Sequence, residues 1–239
     1  MMNLARRATA ECLGTALLLA AVVGSGIMAE RLSGGNVAIA LLANTVATAG
    51  ALVALILTFG TISGAHFNPA VTIGDLMQGG ITRRDALVYI AAQIIGAFAG
   101  VAAANVMFEL PAFFASQKMR TGGAQWFSEF VATFGLLAVI WGCVRLRSAI
   151  VVPFAVAAYI TAAYWFTAST SFANPAVTLA RSMSDTFAGI RPADVPGFCL
   201  AQLFGAISAT LLFRWLVPAT KREAESVTMP HDAENTKTL

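Results

Sequence analysis

Two stretches of this chain run without a formal charge for much longer than one membrane-spanning helix requires. Residues 32–74 are 43 such positions and residues 148–180 are 33, and both run into the same five residues, Asn-Pro-Ala-Val-Thr, at 68–72 and 174–178. About 20 apolar residues carry a helix across a bilayer, so each stretch holds one span with too little left for a second. What remains is small, polar and glycine-containing. Each stretch therefore reads as a full span (about 37–59 and about 150–168) followed by a half-length segment at its Asn-Pro-Ala. Irregular backbone at membrane depth is tolerated only where protein buries it or where it borders a water-filled cavity. Two such segments imply a pore or a substrate cavity.

The rest of the chain supplies four more spans. Uncharged runs at 12–29, 86–108 and 195–213 each fit one helix, and 121–144 fits another, interrupted only by Glu129. Of 239 residues 58% are hydrophobic and 11% charged, against about 25% charged in globular domains, so no separate soluble catalytic domain fits. Arg6 and Arg7 ahead of an apolar run have the outline of a signal peptide, but Glu11 inside the run and five spans downstream favour an uncleaved first helix. One set of loops holds Arg6, Arg7, Arg83, Arg84, Arg145, Arg147, Lys221 and Arg222, and the other holds Arg31, Lys118, Arg120, Arg181 and Arg191. By the positive-inside rule the richer side is cytoplasmic, which places both termini inside and the protein in the inner (plasma) membrane. The charge is dispersed, so nucleic acid is not an expected partner. Cys12, Cys143 and Cys199 fit neither a disulfide framework nor a metal-ligand spacing, and no metal or cofactor is expected.

The repeated pentapeptide belongs to a larger duplication. Glu11 with Gly14-Thr15 precedes the first copy as Glu129 with Thr133 precedes the second, and Gln93 with Gly96-Ala97 follows as Gln202 with Gly205-Ala206 does. Each copy holds three spans and one half-span. An odd number of crossings inverts the second copy, so the repeats are related by a two-fold axis in the membrane plane, and the half-spans enter from opposite faces to meet near the midplane. Asn is a favoured N-cap and Pro suits the first helical position, so Asn68-Pro69 and Asn174-Pro175 read as starts of half-helices running to about Gln78 and about Asp185. Glycines such as Gly14, Gly96 and Gly100 are expected to allow close helix approach.

Over about residues 5–217 the sequence resembles the aquaporin, or major intrinsic protein, family, through His66-Phe67-Asn68-Pro69-Ala70-Val71-Thr72 and the second Asn174-Pro175-Ala176. The resemblance implies an all-α membrane protein with six transmembrane helices and two re-entrant half-helices, an inverted 3+3 repeat. Residues 1–218 would form one channel domain, with repeats at about 5–110 and 122–218, and 219–239 a disordered cytoplasmic tail. It also implies a pore in every subunit of a homotetramer in the lipid bilayer. Asn68, Pro69, Ala70, Asn174, Pro175 and Ala176 would form the pore centre. There two half-helix N-termini, each with about half an elementary positive charge, repel cations, and the Asn amides donate to the passing molecule.

The sequence departs from the family at the outer filter. Most members place an arginine directly after the second Asn-Pro-Ala, and here that residue is Val177. Spacing assigns Thr48 and Ser171 to the same ring, with the fourth member either Ala162 (counting back from Asn174) or Tyr164 (counting forward from Pro153). Such a ring is wide and weakly polar. Arg181 lies one helical turn beyond Val177; it reads either as an exposed interfacial arginine or as a partial replacement for the missing charge at the outer vestibule. Glu11 and Glu129 are expected to accept hydrogen bonds from the re-entrant loops rather than to relay protons, with Gln93 and Gln202 as structural partners and His66 as a structural histidine rather than a pH gate.

Three functions compete. A passive channel fits best: a pore for water, glycerol-sized polyols, urea and undissociated metalloid acids such as arsenous acid, with a water-restricted pore as the alternative. An ion-coupled transporter also uses inverted repeats and broken helices, but the midplane here offers Asn donors instead of an ion site. An intramembrane enzyme lacks any catalytic constellation.

Overall fold

The computed structural model describes residues 2–217. The expected tail from residue 219 lies outside the described residues. Eight helices follow in order: α1 (Leu4–Leu32), α2 (Val37–Ser63), the short α3 (Pro69–Gln78), α4 (Arg83–Met107), α5 (Gly123–Leu146), α6 (Val152–Phe166, entered through a 3-10 turn at Ala149–Val151), the short α7 (Pro175–Arg181) and α8 (Val195–Leu216). Six are long and apolar enough to cross a membrane. At about 1.5 Å per residue, the ten residues of α3 reach about 15 Å, half the hydrocarbon thickness.

Helix boundaries follow local chemistry. The Oδ1 of Asn36 accepts from Ala38 N and Ile39 N to start α2, which stops at Gly64 in a left-handed conformation. Thr82 caps α4 by accepting from Asp85 N. The long helices overrun the uncharged stretches, so that Arg6, Arg7, Glu11, Glu30 and Arg31 all lie within α1. A helix continues through the polar interface, where charged side chains such as Arg6, Glu30 and Arg31 remain hydrated, whereas Glu11 is buried inside the protein.

α1 packs on α4 as α5 packs on α8, α2 meets α6 across the middle, and each half-helix packs against the last long helix of the other repeat, α3 on α8 and α7 on α4. These are the contacts of an inverted repeat. The α1–α4 approach depends on glycine: a Cβ on Gly96 would lie 2.2 Å from the Cys12 carbonyl oxygen, and one on Gly100 would lie 2.1 Å from that of Ala16. Hydrophobic side chains such as Leu13, Leu17, Leu87, Ile95, Trp165 and Phe204 are exposed on the outside, the face that lipid contacts.

The second half-helix is shorter than its sequence predicts, ending at Arg181 rather than near Asp185. The chain turns at Ser182, and the carbonyls of Ser182 and Met183 accept from Ser116 N and Phe114 N of the 108–122 connector. Pairing with that strand-like segment replaces the next helical turn.

Candidate functional site: a pore between the half-helices

The two re-entrant loops are built alike. Ala65 and Phe67 in the first, and Ser171 and Ala173 in the second, hold positive φ values of 48 to 52°, a conformation costing on the order of 1–3 kcal/mol at each non-glycine residue. The surroundings impose it. Buried Glu11 on α1 accepts from His66 N (3.0 Å), Phe67 N (2.7 Å), Ser63 Oγ (2.6 Å) and Gln93 Nε2 (2.8 Å). Buried Glu129 on α5 accepts from Phe172 N (2.9 Å), Ala173 N (2.8 Å) and Gln202 Nε2 (2.6 Å). Each glutamine also donates to a half-helix threonine, Gln93 to Thr72 and Gln202 to Thr178. Those threonines donate in turn to the carbonyls of Asn68 and Asn174. One buried carboxylate thus fixes each loop and, through a glutamine and a threonine, the start of its half-helix.

At the centre, Asn68 Oδ1 accepts from Ala70 N (2.9 Å) and Asn174 Oδ1 from Ala176 N (3.0 Å) and Val177 N (3.2 Å), with Pro69 and Pro175 in the first helical position. Each amide also crosses to the opposite loop: Asn68 Nδ2 donates to Ala173 O at 2.7 Å and Asn174 Nδ2 to Phe67 O at 2.8 Å. These reciprocal bonds lock the two half-helices together, a role the residue types alone do not disclose. An NH₂ group has two hydrogens, so each amide retains one donor.

A cavity of about 80 Å³ runs past both motifs. That is several times the roughly 10–15 Å³ a cavity needs to hold one water. Its walls are mostly apolar, including Leu18, Val22, Leu52, Ile56, Ile140 and Ile160, and its polar groups are His66, Asn68, Thr48, Tyr164, Ser171, Asn174 and Arg181.

At one end Thr48, Ser171, Val177 and Tyr164 all border the cavity, and Thr48 Oγ1 lies 3.3 Å from Tyr164 Oη. Ala162, the other candidate for the fourth position, is exposed on the opposite face of α6. Residues two positions apart on a helix differ by about 200° in phase, so only one of Ala162 and Tyr164 can face the pore. Arg181 is not an exposed interfacial residue. It is 3% exposed, borders the cavity, donates from Nε to the Ala188 carbonyl, and places Cζ 3.4 Å from the centre of the Phe172 ring. A second guanidinium, Arg120, lies over the same ring at 4.8 Å, held by Gly189 O and Ser169 O. Its loop sequence offers no cue to this position, because every partner lies at least 49 residues away.

At the other end the repeat places different chemistry in matching positions. Counting from Asn68 and Asn174, His66 corresponds to Phe172 and Asp75 to Arg181. His66 shares Nδ1 with Thr72 Oγ1 (3.1 Å), places Nε2 3.6 Å from Asp75 Oδ2, and meets the Tyr89 ring edge-on, as Phe172 meets Phe198. Arg7 binds Tyr89 and Asp85 beside it.

Inverted half-helices around a narrow, mainly apolar cavity define a multi-pass membrane channel. The chain belongs to the major intrinsic protein family, whose model matches residues 1–150 and 143–238, a family of passive channels rather than enzymes. It is 57% identical over 215 residues to the aquaglyceroporin AqpS of Rhizobium meliloti (strain 1021), covering 90% of this chain and 91% of that protein. It is 30% identical to the probable aquaporin AqpM of Archaeoglobus fulgidus, over 90% of this chain and 98% of the relative. Among solved structures, the aquaglyceroporin from Plasmodium falciparum superimposes with a TM-score of 0.63 at 22% identity, covering 90% of this chain and 98% of that one, a likeness of fold.

Proposed function

We propose that this protein is a passive channel for water and small uncharged solutes of glycerol size, including urea and undissociated metalloid acids such as arsenous acid. The observation that carries this reading is Val177 at the place where the family normally has its filter arginine, beside Thr48 and Ser171 on the same cavity. Solutes pass the centre by exchanging water for the remaining amide hydrogens of Asn68 and Asn174, while the positive ends of α3 and α7 repel cations. Glu11 and Glu129 act as loop anchors; their carboxylates accept from the re-entrant loops, the last residue of α2 and the two glutamines, which argues against a proton relay and hence against a coupled transporter. Arg181 serves the outer vestibule. The working form is a homotetramer in the inner membrane with both termini cytoplasmic, and residues 1–218 act as one channel domain.

Stopped-flow light scattering on proteoliposomes under gradients of water, glycerol, urea and arsenite tests this. Flux of all four without an ion gradient is the expected result. Water flux with complete exclusion of glycerol and urea would replace it with the water-restricted alternative, which Tyr164 at the ring favours, and dependence on a proton or sodium gradient would overturn it.

A further inference from the structure

We infer that the outer end of the pore holds a binding site for a small carboxylate-type monoanion, formed by Arg181, Ser171 and the Thr48–Tyr164 hydroxyl pair, and that the occupied site obstructs neutral solutes. The site rests on the channel proposed above and gives its outer mouth a ligand.

Arg181 is the centre of it. Its Nε is spent on Ala188 O, but neither terminal nitrogen has a hydrogen-bond partner among the described residues, and no carboxylate there lies within ion-pair distance of it. At 3% exposure, with the Phe172 ring as its principal contact, the guanidinium keeps four N–H donors in the planar fork that matches a carboxylate. The neighbouring charge makes matters worse rather than better: Arg120 occupies the same ring. The nearby carboxylate of Glu129 is committed to Phe172 N, Ala173 N and Gln202.

The second observation is independent. Ser171 lines the same cavity, and its buried Oγ has no hydrogen-bond partner. Buried hydroxyls are normally bonded, so an unpartnered one on a cavity-lining residue marks a place for a ligand acceptor. Thr48 and Tyr164 share one hydrogen bond between two hydroxyls, which leaves one further O–H hydrogen to donate. Fork and hydroxyls together form a surface rich in donors along one cavity, and the acceptor-rich complement of that surface is a small planar carboxylate.

The cavity wall explains why such an anion blocks rather than passes. It is mostly apolar, with Leu18, Val22, Leu52 and Ile56 among its residues, and an ionised carboxylate leaving the ring gives up its hydration and the arginine fork together.

Calorimetric titration of the purified full-length protein with formate at pH 7, and urea flux with formate equal on both sides of the vesicle, test the site. Saturable formate binding is expected, weaker for chloride, which has no fork to match. Urea flux should fall roughly two-fold at a formate concentration equal to its Kd, where half the sites are filled. Arg181→Gln should abolish the binding, and Arg181→Lys, which keeps charge without the fork, should weaken it. Should Arg181→Gln fail to elute as the wild-type oligomer, Ser171→Ala takes its place with a weakened titration expected. Absence of saturable binding, equal binding of chloride, or unchanged binding in the variants overturns the site, and binding without loss of urea flux overturns the obstruction. Absence of urea flux before formate is added counts against the channel instead, while the titration still decides the site.

Discussion

Single side chains decide how this pore is built and what it admits. Val177→Arg adds a charged fork to the ring beside Thr48 and Tyr164, so glycerol and urea permeability should fall at least about ten-fold, on the order of 1.4 kcal/mol, while water permeability falls less; paired osmotic assays measure both. Glu129→Gln leaves two loop N–H groups facing an amide that offers one oxygen in place of two. The second loop should lose about 1–3 kcal/mol, read as a lower Tm in detergent. Lys118 lies outside the spans, where partial burial and the charges of Arg120 and Arg181 pull its ammonium down to about 8 from the ordinary 10.5. With the folded value below the ordinary one, protonation opposes the fold. The penalty is complete below about pH 8 and relieved toward the ordinary lysine range, so the Tm difference between the parent and Lys118→Met should shift in the parent's favour between pH 7 and pH 10. Glu11 and Glu129 were legible in the sequence because a lone carboxylate in an apolar span stands out, twice, at matching places. Arg120 was not, because its site is made by Phe172, Ser169 and Gly189, distant in sequence and brought to it by folding.

At the level of elements, the design uses short helices whose ends matter more than their middles. Asn and Pro announce the starts of α3 and α7 in the sequence, since an N-cap and a first-turn proline are local devices. The end of α7 is set by the 108–122 connector, which no local signal announces, and the expected boundary near Asp185 fails for that reason. The phase of α6, which separates Tyr164 from Ala162, depends likewise on a loop of uncertain length, 167–173, and becomes plain only once the helix is placed. Asn174→Asp puts a full negative charge where two positive helix ends converge, and the barrier to cations should drop; a rise in proton conductance across vesicles, measured with a pH-sensitive dye, is the expected outcome. Gly100→Val forces a branched side chain onto the Ala16 carbonyl, 2.1 Å from its Cβ position. The α1–α4 pair cannot close, and the yield of folded protein on size-exclusion chromatography should collapse.

Across the whole molecule, six spans, two half-spans and an inverted duplication follow from counting charges, because a bilayer allows so few ways of satisfying a backbone. The arrangement of side chains around the pore axis required the coordinates. Their joint result is a pore whose backbone repeats under inversion while its polar groups do not, with His66, backed by Asp75, toward one end and Arg181 toward the other. A passive conduit obeys detailed balance, so this polarity performs no work and drives no net transport between equal baths. What it changes is loading: the two mouths equilibrate with different solutes from identical solutions. Doubling either half in a synthetic tandem would erase that distinction, yielding a channel with a histidine at both doors or an arginine at both.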